Sequence, residues 1–117
     1  DVARLMTSSS TMLALSAGVP ASAAARAFVD SGFSRIPLYG ESRDDIVGVL
    51  YAKDLFAAIV EAGDAGTVLP RKLCRPPLFV PETKNAAELL QEFQGRRLQM
   101  TIVLDEYGGG AGLVSFE

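Results

Sequence analysis

One pattern of apolar residues is written twice in this chain, about 65 positions apart, and the duplication restricts the fold more than any single residue does. Leu13-Ala14-Leu15, a polar break and a helix-like run ending at Phe28 are echoed by Leu78-Phe79-Val80, a polar break and a run ending at Phe93. The same spacing pairs Ala21 with Ala86 and Ala25 with Leu90. Further on, Ile36-Pro37-Leu38-Tyr39 and Gly48-Val49-Leu50 return as Ile102-Val103-Leu104-Asp105 and Gly112-Leu113-Val114, at offsets of 66 and 64. A repeated unit stacks on its copy to bury a face that neither buries alone. The expectation is two small lobes with a common core and a pseudo-twofold cleft between them.

Local patterns fill in the units. Residues 12–15 read as a short strand, and Gly18-Val19-Pro20 opens a helix, Pro being tolerated in a first turn. Ala24, Ala25, Phe28 and Val29 recur at helical spacing, and Gly32 supplies a left-handed stop. Strands follow at 35–39 and 46–51, joined by the polar stretch 40–45. Leu55, Ala58, Ile59 and Ala62 mark a second helix ended by Gly63. After a linker the second copy repeats the order, with a strand at 78–80, a helix at 86–97 carrying Leu89, Leu90 and Phe93 inward, and strands at 100–104 and 112–116. The fold class is α+β: β-α-β-β-α twice, the second copy cut short before its last helix. Two small sheets pack with helices around a pseudo-twofold axis. Residues 1–63 form the first unit, 64–72 the linker and 73–117 the second unit.

Several functions are disfavoured by composition. With 14 acidic against 11 basic residues the net charge is −3, and Arg71-Lys72 and Arg96-Arg97 are the only adjacent basic pairs, so no basic face for nucleic acid is expected. The single cysteine, Cys74, excludes an internal disulfide and reads as a small packed residue. Histidine is absent, so a histidine base, a Ser-His-Asp triad and a histidine metal site are all excluded. The glycine-rich 108–112 stretch precedes a strand, whereas a dinucleotide loop follows a strand and opens a helix; a hairpin turn is expected there. Asp44-Asp45 and Asp105-Glu106 are paired carboxylates of a kind that a hard cation can use, but solvated loops are the expectation and no metal site is assigned. No apolar run reaches the ~18 residues that a bilayer span needs. The chain starts without Met and stops just after a strand-like run, as an excised fragment would.

The ordered set Ser34-Arg35-Ile36-Pro37-Leu38-Tyr39, Asp45-Ile46-Val47-Gly48-Val49-Leu50-Tyr51-Ala52-Lys53-Asp54-Leu55 and Pro76-Pro77-Leu78-Phe79-Val80-Pro81-Glu82-Thr83 resembles a CBS-domain pair, or Bateman module. Asp105-Glu106-Tyr107-Gly108-Gly109 narrows the resemblance to the pair in magnesium/cobalt efflux proteins of the CorC/haemolysin-C-like family. That resemblance implies a regulatory module and no enzyme. Its implied ligand is an adenine nucleotide (AMP, ADP or ATP, sometimes S-adenosylmethionine), with Mg²⁺ as an accompanying ion. Its implied partners are a second copy in a homodimer and the attached membrane and C-terminal domains, on the cytoplasmic side of an inner membrane, with no nucleic acid.

The resemblance also implies site residues. In the pattern Gly-h-h-[Ser/Thr]-x-x-Asp a strand ends and a helix begins, so a hydroxyl and free helix N–H groups meet at one anion-binding spot. The aspartate can accept from both ribose hydroxyls. Asp54 matches that aspartate, while Tyr51 replaces the usual hydroxyl residue, a departure that weighs against phosphate binding in copy one. Ser115 keeps the hydroxyl in copy two, and Glu117 matches an acidic position. Ile36-Pro37 and Met100-Thr101-Ile102 match the stretches whose backbone reads the base. Arg35 is placed to reach a phosphate, and Met6-Thr7 matches the segment closing the cleft. The alternative is a structural dimerisation module with no ligand.

Overall fold

A computed structural model of the chain describes residues 1–8, 11–96 and 100–115. Arg97, Phe116 and Glu117, all invoked above, lie outside the described residues.

The duplication is exact in the helices. α1 (Ala21–Ser31) and α4 (Ala86–Arg96) each hold 11 residues and begin 65 positions apart. Their buried positions correspond, Ala24 with Leu89 and Phe28 with Phe93. α1 and α2 (Ala52–Ala62) end in Gly32 and Gly63 at φ of 75° and 73°, a left-handed turn that glycine takes without a Cβ penalty. α4 starts on Asn85, whose Oδ1 accepts from the N–H groups of Ala87 and Glu88 at 2.9 and 3.1 Å. Leu90, expected inward, points outward at 39% exposure, because Leu89 and Phe93 already fill the face towards the sheet.

In the first unit β2 (Leu15–Ser16) runs parallel to β3 (Arg35–Tyr39), which pairs antiparallel with β4 (Ile46–Tyr51). In the second, β5 (Phe79–Pro81) runs parallel to β6 (Met100–Leu104), which pairs antiparallel with β7 (Gly110–Ser115). The register shift falls between Leu38 and Tyr39 in one copy and between Val103 and Leu104 in the other. β3 therefore corresponds to β6 at an offset of 65, so Ile36 matches Thr101, not the Ile102 expected from the repeated apolar pattern. The strand expected at 12–15 is confined to Leu15–Ser16. Ile102 gives its N–H to Leu78 O at 2.8 Å, extending the β5–β6 ladder, whereas its counterpart Pro37 has no N–H to give. Most of the glycine run is strand, not turn: Gly110 and Gly112 lie within β7, and Asp105 Oδ1 caps the turn by accepting from Tyr107 and Gly109 N–H.

Each sheet is completed by the chain entering the other unit. β1 (Thr7–Ser8) pairs antiparallel with β7, and Val2 is buried among Val80, Leu89, Phe93, Val103 and Val114 of the second unit. In the same way Arg75, just after α3 (Pro70–Leu73), exchanges both main-chain hydrogen bonds with Val49 of β4, at 2.9 and 2.8 Å. Glycine makes both crossings possible. A Cβ on Gly112 would lie 2.1 Å from Thr7 O, and one on Gly48 would lie 2.4 Å from Cys74 Sγ. The first core gathers Ala21, Ala24, Phe28, Ile36, Leu38, Leu50 and Leu55. A third cluster, of Met12, Ala14, Ile46 and Ile102, joins the units.

Candidate functional site

Two equivalent positions arise from this topology, one at the end of each antiparallel strand pair. In the second unit, β7 ends at Ser115 opposite Met100, with Thr7 beside it opposite Leu113. In the first, β4 ends at Tyr51 opposite Arg35, with Arg75 beside it opposite Val49. The register thus equates Ser115 with Tyr51 and Thr7 with Arg75.

The second-unit position is open. A cleft of about 270 Å³ is lined by Thr7, Met100, Leu113 and Ser115 from one side and by Thr11, Met12, Leu13, Phe33, Arg35 and Pro37 from the other. Met12 and Pro37 make its floor, with almost no accessible surface, and Phe33 stands at 48% exposure. The wall is therefore mainly apolar, with three hydroxyls and one guanidinium at set points. Such a composition suits a flat, partly polar ligand carrying negative charge. Arg35 is held with its guanidinium carbon 5.3 Å from the Tyr51 ring centroid.

The first-unit position is occupied by the protein itself. The Arg75 guanidinium lies 4.0 Å from the Tyr51 ring centroid. Its Nε and Nη2 donate to Asp54 Oδ2 and Oδ1 at 3.0 and 3.2 Å. Asp54 stands in the first turn of α2 and makes no side-chain cap; its carboxylate is turned to Arg75. The Asp54 hydrogen bond, then its charge, raises the Arg75 guanidinium above its ordinary value. The Arg75 guanidinium therefore stays charged across neutrality.

Of the residues singled out from sequence, Thr7, Arg35, Pro37, Met100 and Ser115 come together around the open cleft. Tyr51 and Asp54 meet at the other position. Ile36 and Ile102 are buried in separate cores and paired within their sheets, the Ile102 N–H donating to Leu78 O, and neither lines the open cleft. Thr101 is buried and donates through Oγ1 to Leu78 O at 2.9 Å, a bond that fixes the entry to β5. Met6 packs against the second core. Sequence reading missed Thr11, Leu13, Phe33 and, above all, Arg75. Glycines at equivalent places in both copies, Gly48 and Gly112, were the available sign that a chain crosses each strand. The paired carboxylates serve turns: Asp45 Oδ2 accepts from Glu41 N–H and Asp44 from the Ser42 hydroxyl. Among the described residues no cluster of three or more His, Cys, Asp or Glu is placed to hold a metal, and no helix is long and apolar enough to cross a membrane.

Two α+β units, each completing the other's sheet and enclosing a cleft between them, define a tandem-repeat module. Residues 2–61 match the family model described as CBS domain. Haemolysin C of Brachyspira hyodysenteriae is 44% identical over 79% of this chain and 32% of its own length. The magnesium and cobalt efflux protein CorC of Salmonella typhimurium is 40% identical over 76% of this chain and 30% of its own length. The solved CBS domain of a bacterial CNNM/CorC family Mg²⁺ transporter in complex with ATP is 39% identical, with a TM-score of 0.88 over 97% of this chain and 80% of that one. The chain belongs to the CBS-domain family, as a CBS-domain pair of the CorC/haemolysin-C-like group. It spans about a third of the length of these two curated relatives.

Proposed function

We propose that this pair is a non-catalytic regulatory module that binds one adenine nucleotide (AMP, ADP or ATP) in the open cleft. The observation that carries the reading is the cleft of about 270 Å³ with Thr7 and Ser115 on one wall and Arg35 on the other. Its volume lies near the lower end of small-molecule sites, ~300 Å³, so base and sugar would fill it and the phosphates would face its mouth. Pro37 and Met100, which line the cleft, would flank the base, Ser115 and Thr7 would offer hydroxyls, and Arg35 would neutralise phosphate. Support comes also from the ATP complex of the related transporter domain. Mg²⁺ would enter with the nucleotide phosphates.

A ligand touching both units favours whichever arrangement of them it fits better, and that population shift would pass to the attached domains of a CorC-like efflux protein on the cytoplasmic side of its membrane. A homodimer is the natural frame for such transmission. Val29, Phe56 and Val60 leave an apolar face on α1 and α2 at 66%, 39% and 80% exposure, and the Phe28 and Phe56 rings, 6.3 Å apart, hold the two helices together. Val60→Asp should turn a dimer into a monomer in sedimentation; an unchanged mass would place the interface elsewhere.

The test is thermal unfolding with AMP, ADP, ATP, adenosine and S-adenosylmethionine, each with and without Mg²⁺. A ligand at ~100 times its Kd adds roughly 2.7 kcal/mol, which moves the midpoint by several degrees. Arg35→Ala and Ser115→Ala should each weaken the response. No response to any ligand, from a protein that still dimerises, would leave the structural module as the reading, which the self-occupied Arg75–Asp54 position favours for the first unit.

A further inference from the structure

Arg35 belongs to two surroundings at once. It lines the open cleft, and its guanidinium carbon lies 5.3 Å from the centroid of the Tyr51 ring, which does not line the cleft. The strand register accounts for the contact. Arg35 opens β3 and Tyr51 closes β4, and the two stand directly opposite each other, so their side chains leave the same face of the sheet. A hydrogen bond from Ala52 N–H to Ser34 O, at 2.9 Å, carries the pairing one residue further and fixes both ends. The ring itself is steadied from behind the cleft. The Arg75 guanidinium lies 4.0 Å from its centroid and is tied to Asp54 by two hydrogen bonds, at 3.0 and 3.2 Å. The Asp54 carboxylate offsets the charge of Arg75, which lets two guanidinium groups share one ring.

We propose that Tyr51 is a positioning residue for the open cleft: it holds the Arg35 guanidinium on the cleft wall and so sets the preference for a phosphorylated over an unphosphorylated adenine ligand. The ligand class rests on the reading of the cleft as a nucleotide site; the positioning rests on the Arg35–Tyr51 pair and its backing by Arg75. A free arginine side chain visits many rotamers, and those that lead away from the cleft subtract from its affinity for a phosphate; holding it in one place removes that cost. The aromatic face does the holding, through its attraction for a cation, and phenylalanine shares that property while leucine lacks it. Tyr51 stands where a hydroxyl residue is expected, and this role gives the departure a use: the first unit lacks a hydroxyl for phosphate, and the open cleft has an oriented guanidinium. Arg75 and Asp54 act at one remove, by steadying the ring.

Two readouts test the proposal on the wild type, Tyr51→Phe, Tyr51→Leu and Arg35→Ala. In the ligand-free chain the Arg35 Nε–H resonance senses the ring current of its aromatic neighbour. It should move in Tyr51→Leu and stay near its place in Tyr51→Phe; an unmoved resonance in folded Tyr51→Leu would overturn the positioning. Tyr51 is half-buried, and Tyr51→Met serves the same purpose should the leucine variant not fold. The second readout is the ratio of ATP to adenosine affinity by calorimetry. Tyr51→Leu should weaken ATP about tenfold, the scale of one charge-assisted contact, and leave adenosine unchanged. Its ratio should approach that of Arg35→Ala, and Tyr51→Phe should keep the wild-type ratio. An equal fall for both ligands would mean that Tyr51 only supports the fold, and would overturn the proposal. If neither ligand binds the wild type, the nucleotide reading of the cleft fails and the phosphate preference with it, while the Arg35 resonance still decides whether Tyr51 positions the guanidinium.

Discussion

Gly112→Ala tests the crossing of the N-terminal segment into the second unit. The added Cβ would lie 2.1 Å from Thr7 O and 3.0 Å from its carbonyl carbon, and backbone cannot rotate out of the way. β1 must therefore leave β7. With it go the pairings of Thr7 with Leu113 and Ser8 with Gly112, and the hydrogen bond from Val2 N–H to Lys84 O. Val2, now fully buried, returns to water. Burial of a valine contributes ~1.5–3 kcal/mol, and each hydrogen bond lost adds ~0.5–1.5 kcal/mol. The expected loss is about 3–5 kcal/mol, a large part of the ~5–15 kcal/mol that holds a domain folded. Urea unfolding measures it, and the same substitution is repeated in a chain lacking residues 1–8. There the clash has no partner, and alanine in place of a strand glycine should be neutral or stabilising by up to ~1 kcal/mol. A similar cost in both backgrounds would refute the argument, because the penalty would then belong to β7 itself and not to the crossing. The coupling energy from this cycle isolates the contact between the segments.

Thr101→Val removes the buried Oγ1 bond to Leu78 O while keeping the side-chain shape, and should cost about 1 kcal/mol in the same assay, since Ile102 N–H still serves that carbonyl. Asn85→Ala deprives α4 of its two cap bonds and should cost ~1 kcal/mol, seen as a midpoint lower by a few degrees. Lys84 Nζ lies 2.7 Å from Glu92 and 3.8 Å from Glu88, and the hydrogen bond to Glu92, reinforced by the charges of Glu92 and Glu88, raises its pKa above the ordinary lysine value. Its contribution is complete below the ordinary value of 10.5 and is lost as pH climbs through the raised one. The wild type should therefore lose stability relative to Lys84→Met above that value, and parallel stability curves through strong alkali would exclude the linkage.

Much of this architecture is legible in the sequence because it rests on local rules applied twice. Gly32 and Gly63 stop two helices where left-handed backbone is needed, and Phe28 and Phe93 mark one buried helical face in each copy. What escaped reading depends on pairing between distant segments. Leu90 has the hydrophobicity of a core residue, yet the helix has room for only one row of contacts, and Leu89 and Phe93 fill it. Arg75 carries no apolar periodicity at all and its place is set by main-chain pairing with Val49; Thr7, paired with Leu113, was reached only through the family resemblance. The candidate site was half visible for the same reason. Residues on the strands themselves, Arg35, Pro37, Met100 and Ser115, could be found by position, whereas Thr11, Leu13 and Phe33 reach the cleft from connecting segments.

The asymmetry between the copies follows from side-chain size in shared backbone slots. Both units present one residue at the end of a strand and one on the crossing segment beside it. Ser115 and Thr7 are short, cannot span the gap, and leave the void of about 270 Å³. Tyr51 and Arg75 are long and complementary, a ring under a guanidinium, and Asp54 makes their contact specific by taking both ends of the fork. Exchanging the pairs should therefore exchange the states: Arg75→Thr with Tyr51→Ser should open the first position, and Thr7→Arg with Ser115→Tyr should narrow the second. The main-chain bonds between Arg75 and Val49 and the pairing of Thr7 with Leu113 do not depend on these side chains, so both double variants should fold. Adenosine contacts moving from the Thr7 and Ser115 amides to those of residues 51–54 in the first variant, and disappearing from the cleft in the second, would show that side-chain size alone selects the open position. Unchanged contacts in both would mean that the difference lies in the backbone.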